Sequence, residues 1–262
     1  MYEDTLDPVF LIENTKTHLL GSRWIFEKSI SSTNDLAKQM ASEGAPDGSL
    51  IVSDTQTMGK GRLGRQWDSP PESGIYLSAL LYPPDPEKSG PFLTLLAGVA
   101  VVNALNTWCE VTLKWPNDLL TNNKKICGIL CEFFHEIRPR PAMVIGIGIN
   151  VHQKASHFPK EIRQTATSLF METQKHLSRT RIIKKLVEEL DKEYQEFLAN
   201  GPQLLIQKWS DRSCMFGEVV ALKKGKKTTR GIVKRLDSKG HLVLETESGE
   251  ESFGSGEATI LK

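Results

Sequence analysis

The stretch from Phe92 to Cys109 contains no charged side chain. Eighteen uncharged residues in a row have to be buried, either in a bilayer or in the core of a folded domain. The length sits at the lower edge of a membrane span, and Thr94, Gly98, Asn103, Asn106 and Thr107 interrupt its apolar character. The sequence therefore predicts a core helix of a soluble domain over about 92–108, with no membrane partner. The rest of the chain can surround such a helix. Of 262 residues, 39% are hydrophobic and 25% charged, enough for one large domain with a smaller one and too apolar for disorder.

Charge and cysteine usage narrow the function classes. The 33 Lys and Arg residues balance 32 Asp and Glu, for a net charge of +1, so any site for a polyanion must be local. Cys109, Cys127, Cys131 and Cys214 show no CxxC spacing, as expected of a reduced, cytoplasmic protein. The start, MYEDTLDPVF, is acidic and lacks a basic n-region, so no secretory signal is expected.

Residues 1 to about 20 show no period and read as a lead-in. Ser32, with Asp35 three positions on, reads as a capping box opening a helix that Gly44 stops. Leu50–Ser53 and Gly74–Tyr82 read as strands, the second ended by Pro83 and Pro84. Val111–Lys114 and Lys125–Phe134 read as strands around a polar turn, and the apolar run AMVIGIGINV as a central strand. The clearest helix is 179–200, with a stripe of Ile182, Ile183, Leu186, Val187, Leu190, Tyr194, Phe197 and Leu198, stopped by Gly201-Pro202. From about residue 214 short strands alternate with turn signals at Gly225, Gly240 and Gly249, the pattern of a small antiparallel barrel. The fold class is α+β with a β appendage.

Chemistry concentrates in two segments. In TQTMGKGRLGRQW, Gly59, Gly61 and Gly64 alternate with the cations Lys60, Arg62 and Arg65, with no acid in the run. Glycine lets backbone N–H groups converge and the cations add charge, which suits a phosphate or carboxylate. Such a loop has few apolar anchors and is expected to order on ligand; a solvated basic hairpin is the alternative. Neither a Walker loop nor a dinucleotide fingerprint fits the spacing. The second segment, KWPND followed by KKICGIL, presents an amide and a carboxylate at Asn117 and Asp118, suited to Mg²⁺ or ribose hydroxyls, with Lys125 and Gly128 on the return strand. The same residues also fit a structural turn with surface lysines. Six histidines show no metal spacing and read as surface or loop residues, and Cys127 as a buried structural thiol.

The ordered set Ser32-Thr33-Asn34, GKGRLGRQW, KWPNDLL, KKICGILCE and GIGINV resembles the catalytic domain of biotin–protein ligases, over about residues 20–262. The family's loop has arginine where this chain has Lys60, which keeps the charge but loses a bidentate fork. The resemblance implies a mixed β-sheet packed with helices over 1–213 and an SH3-like barrel over 214–262. Since about 20 residues precede the first matching element, it implies the monofunctional class without a DNA-binding domain. The implied reaction is ATP-dependent attachment of biotin, through biotinyl-5′-AMP, to a lysine of a biotin carboxyl carrier protein of acetyl-CoA carboxylase or a related carboxylase. ATP and Mg²⁺ accompany it, and a homodimer is compatible with it. By residue, Ser32, Thr33, Asn34, Gln56, Lys60, Gly61, Arg62 and Lys125 match biotin-contacting positions. Gly59, Arg62, Arg65, Trp67, Asn117, Asp118 and Asn150 match positions that handle ATP or the adenylate, with Asn117 and Asp118 toward metal. Lys125 and Arg62 match the catalytic positions.

Two other readings remain. Lipoate–protein ligases and octanoyltransferases share the expected architecture but lack the KWPND and glycine-loop motifs. A nucleic-acid-binding module is suggested by the lysines at 223–227, yet residues 214–262 hold nine basic and seven acidic side chains, nearly neutral.

Overall fold

The computed structural model describes residues 4–135 and 141–261. In chain order the elements are α1 (Pro8–Asn14), β1 (Arg23–Glu27), α2 (Thr33–Ser42), β2 (Ser49–Ser53), β3 (Gly74–Leu81) and α3 (Pro86–Leu105). There follow β4 (Thr112–Lys114), β5 (Asp118–Thr121), β6 (Lys124–Phe134), β7 (Ala142–Asn150), α4 (Leu169–Thr173), α5 (Arg179–Asn200) and α6 (Pro202–Ser210). The last are β8 (Val219–Lys224), β9 (Lys227–Leu236), β10 (Leu242–Thr246), β11 (Gly249–Phe253) and β12 (Glu257–Ile260).

Seven strands form one mixed sheet in the order β1-β2-β3-β7-β6-β5-β4, in which only β1 and β2 run parallel. β7 lies in the middle, as its apolar run predicts. Ile75, Leu77, Ala79 and Leu81 on β3 and Ile145, Ile147 and Ile149 on β7 belong to the main core with α3 and α5. The opposite face is covered only at one end, where Ala37, Met40 and Ala41 of α2 pack on Ile51, Leu80 and Val144. Period-2 alternation thus gives the sheet one greasy back and one front left partly open.

α3 is the one helix among the described residues long and apolar enough to cross a membrane, and 72% of its apolar window is buried inside the structure. It starts at Pro86 with Asp85 capping Lys88 N at 3.2 Å, six residues before the expected point, and carries Pro91 within it. α5 has the expected span, from its Ser178 cap to Gly201, except that Leu198 is exposed rather than part of the buried stripe. Gly201 ends α5, but Pro202 opens α6 at once, because proline suits the first position of a helix. Ser32 does precede α2, yet its hydroxyl makes no capping bond, so the capping box is not formed. The lead-in contains α1, capped by Asp7, and β1 pairs with β2. The polar turn after β4 contains β5.

The C-terminal strands form an antiparallel sheet in the order β11-β10-β9-β8-β12, the last strand returning to pair with the first. No β11–β12 ladder joins its edges among the described residues. Its lysines are interleaved with acids: Lys234 pairs with Glu245 at 2.9 Å and Arg235 with Glu250 at 2.7 Å.

Candidate active site

The open front of the large sheet has a floor of small residues. Ser78, Gly146 and Leu130 stand opposite one another on β3, β7 and β6; Tyr76, Gly148 and Gly128 form the next row. A methyl group on Gly146 would lie 2.2 Å from Asn34 Oδ1, and one on Gly148 2.5 Å from the Trp67 indole. The glycines of GIGIN therefore bring these side chains down onto the backbone. A cavity of about 510 Å³ remains above them, lined among others by Ser32, Thr33, Asn34, Gln56, Trp67 and Asn150.

One end of the cavity is polar and neutral. Gln56 Oε1 accepts from Thr33 N at 2.9 Å and from Thr33 Oγ1 at 3.1 Å, while Gln56 Nε2 donates to Ser69 Oγ at 3.0 Å. Ser78 Oγ donates to Asn34 Oδ1 at 2.6 Å, and Asn34 Nδ2 donates to Glu132 Oε2 at 2.7 Å. These side chains hold one another in register at the first turn of α2.

The other end is cationic. Lys125 Nζ lies 2.6 Å from Asp118 Oδ1 and 5.4 Å above the Trp67 ring. Arg62 donates to Asn117 Oδ1 at 3.0 Å and to the Gly256 carbonyl at 3.2 Å. Burial draws the Arg62 guanidinium below its ordinary value, against the upward pull of the Glu257 and Asp118 carboxylates. Asn117 Nδ2 donates to Ile129 O at 2.9 Å, tying KWPND to β6. Asn150 donates to Thr167 O at 2.9 Å, and Thr167 N to Lys125 O at 2.9 Å, so the 158–168 segment forms the remaining wall.

The glycine–cation segment is a tight hairpin. Gly61 N donates to Arg65 O at 2.7 Å, and Leu63 takes a φ of 58° within a single 3-10 turn, Arg62–Gly64. Its two apolar residues, Met58 and Leu63, are exposed and anchor nothing. The hairpin is clasped by polar contacts instead: Lys60 to Asp35, Arg62 as above, and Arg65 to Glu257. The Lys60 and Arg65 pairs are partly exposed, whereas Arg62 reaches inward to Asn117.

Every site residue named from the sequence except Gly59 lines the cavity; Gly59 faces an outer groove of about 910 Å³ beside it. Ser78, Glu132, Gly256 and Glu257 were not foreseen. Ser78 is a lone hydroxyl in an apolar strand and Glu132 an ordinary acid in sequence; the FGSGEA stretch that carries Gly256 and Glu257 was the one usable signal. Of the six histidines, read as surface or loop residues, His152 lies in the loop after β7 but is largely enclosed there. Its side chain is 11% exposed, wedged between the carbonyls of Glu72 at 3.2 Å and Leu177 at 2.8 Å. Cys127 is fully buried, and burial pushes its thiol well above the ordinary range. Among the described residues no His, Cys, Asp and Glu cluster could by itself hold a metal.

Comparison with known proteins agrees with this arrangement. Residues 26–150 match the Biotin/lipoate A/B protein ligase family, and residues 215–260 the Biotin protein ligase C terminal domain. The bifunctional ligase/repressor BirA of Bacillus spizizenii is 35% identical over 247 residues, 94% of this chain and 76% of that protein. The biotin–[acetyl-CoA-carboxylase] ligase of Mycobacterium tuberculosis is 30% identical over 92% of this chain and 91% of its own. Among solved structures, a biotin protein ligase from Aquifex aeolicus in complex with biotin and ATP superimposes with a TM-score of 0.78 at 31% identity, covering 92% of this chain and 99% of that one. A fold, a two-ended cavity and two family matches lead to one conclusion: the chain belongs to the biotin protein ligases.

Proposed function

We propose that this chain attaches biotin to one lysine of a biotin carboxyl carrier protein, that of acetyl-CoA carboxylase or a related carboxylase, by way of biotinyl-5′-AMP. One observation carries the reading. A single cavity joins a neutral end of amides and hydroxyls, at Thr33, Asn34 and Gln56, to a cationic end at Lys125 and Arg62. Biotin has that polarity, with an uncharged cyclic urea at one end and a carboxylate at the other.

In the first step a biotin carboxylate oxygen attacks the α-phosphorus of ATP and the bond to pyrophosphate breaks. Negative charge grows on the α-phosphoryl oxygens, where Lys125 and Arg62 sit as fixed cations that stabilise the transition state more than the ground state. In the second step the neutral ε-amine of the carrier lysine attacks the anhydride carbonyl, the C–O bond breaks and AMP leaves. The hairpin, clasped by Asp35, Asn117, Gly256 and Glu257, excludes water from the anhydride between the steps. Catalysis is then mostly positioning and electrostatics, with no covalent enzyme intermediate.

Magnesium fits as a companion of ATP rather than as a resident ion. It is commonly held by one or two carboxylates plus substrate phosphates. Asp118 would supply the carboxylate through the oxygen not paired with Lys125, with Asn117 Oδ1, now held by Arg62, as the second donor, and the ion would neutralise phosphate charge. We place the reaction in a reducing cytoplasm, in keeping with four free cysteines whose thiols burial raises above their ordinary value. We also assign residues 1–213 to catalysis and 214–262 to a C-terminal barrel that clasps the hairpin.

The test is mass spectrometry of a carrier domain incubated with the protein, biotin and Mg·ATP, in parallel with lipoate. One biotin adduct on one lysine is expected. Lipoyl-AMP formation without biotinyl-AMP would overturn the assignment.

A further inference from the structure

Asn34 lies across three strands. Its amide rests on Gly146, whose neighbours in the same row are Ser78 on β3 and Leu130 on β6. Oδ1 accepts from Ser78 Oγ at 2.6 Å on one side. On the other side Nδ2 donates to Glu132 Oε2 at 2.7 Å and to the Leu130 carbonyl at 3.3 Å. An asparagine amide has two N–H donors and an oxygen with two lone pairs. Both donors are therefore engaged, and one lone pair is taken.

The only bonding capacity that Asn34 retains toward the cavity is the second lone pair of Oδ1. A buried amide could otherwise rotate by half a turn and offer its NH₂ group instead. Two acceptors on β6 oppose that rotation. Turned over, Nδ2 could still donate to Ser78 Oγ, whose own proton then goes to Thr33 Oγ1 at 2.8 Å, but Oδ1 would meet the Leu130 carbonyl and the Glu132 carboxylate, an acceptor-only group when ionised. Setting the Asn34 oxygen against two acceptors at a site where Asn34 is 4% exposed is costly.

We infer that Glu132, acting through Asn34 with Ser78 opposite, is a positioning residue that makes the neutral end of the cavity an acceptor for a ring N–H and so sets the preference for a cyclic urea over a ligand without one. The inference rests on the biotin reading above and names the residue behind its selectivity. Glu132 lines the outer groove as well as bonding Asn34, but its contact to Asn34 is the one that fixes a direction.

The test measures adenylate formation with biotin, desthiobiotin (which keeps both urea N–H groups) and lipoate (which has none), for wild type, Glu132→Ala, Glu132→Gln and Ser78→Ala. A hydrogen bond to a charged group is the strong kind. Glu132→Ala is expected to raise KM for biotin and desthiobiotin together, about tenfold to a hundredfold. KM for ATP and the maximal rate should stay within about twofold. Glu132→Gln can still present a carbonyl to Asn34 Nδ2 and should restore the biotin KM to within about threefold of wild type. Ser78→Ala removes the opposing donor and should shift the same parameter, which keeps the idea testable if Glu132→Ala melts early. Unchanged biotin KM in Glu132→Ala, or equal loss of ATP and biotin affinity, overturns the inference while leaving the ligase reading intact. A wild-type protein that makes no biotinyl-AMP overturns the ligase reading, and the inference falls with it.

Discussion

Replacing Gly148 by alanine tests the floor of the site directly. The new methyl would lie 2.5 Å from both Nε1 and Cε2 of Trp67 and 3.0 Å from Cζ2, where ordinary contact begins at 3.4 Å. The indole must recede by about 1 Å, since the strand under it is central and cannot yield. Its backbone is tied to Gly59 O at 2.8 Å, so the ring moves up into the cavity, away from its seat under Lys125. Overpacking of this kind costs about 1–3 kcal/mol, or a fall in melting temperature of roughly 2–12 °C for a domain of this size. The catalytic loss is larger, because a misplacement of about 1 Å can cost on the order of a hundredfold in rate. Gly225→Ala is the control: its φ of +60° makes it strained, but nothing lies within 4 Å, so activity should be untouched. Pyrophosphate release at saturating biotin and ATP, together with thermal melts, gives both quantities. A Gly148→Ala enzyme of normal rate and normal melting temperature would refute the seating of Trp67 on the strand.

Other perturbations separate chemistry from architecture. Lys125→Ala should keep its fold, its ion pair with Asp118 being partly exposed, but lose about 3–4 kcal/mol of transition-state stabilisation; near-normal pyrophosphate release would contradict this. Arg62→Gly removes the contacts to Asn117 and Gly256 and should let biotinyl-AMP escape, seen as scattered lysine labelling on bystander proteins; unchanged selectivity would count against the clasp. Arg179 is fully buried, 3.0 Å from Asp4 and 2.7 Å from Asp54. Arg179→Ala strands both carboxylates and should cost about 3–5 kcal/mol, roughly 6–20 °C in melting temperature, with a melt within a degree or two of wild type as the contrary result.

What the chain reveals before folding depends on how local each signal is. α5 was readable to the residue because eight apolar side chains repeat at helical spacing between a serine cap and Gly201. The glycine–cation hairpin and KWPND were readable because their residue types leave few chemical uses. β1 escaped notice since RWIFE is bounded by charges and only half-buried, unlike the fully buried β2 of equal length, its Trp24 and Phe26 stacked at 5.4 Å. α6 was hidden by a proline that looks like a stop but serves as a start. Ser78 and Glu132 are the instructive omissions. Nothing around either one marks it; only the register of β3, β7 and β6, with Glu132 two residues past Leu130 on the same face, brings them to opposite ends of the same amide.

The contacts from Arg62 to Gly256 and from Arg65 to Glu257 join residues 194 and 192 positions apart in the chain. During synthesis every floor residue of the cavity emerges long before the last two of the four partners that hold its cover. A nascent or shortened polypeptide that stops short of residue 256 would carry the binding pit with a roof held only by Asp35 and Asn117. On the proposed function, full retention of a reactive anhydride is therefore the last property this molecule acquires.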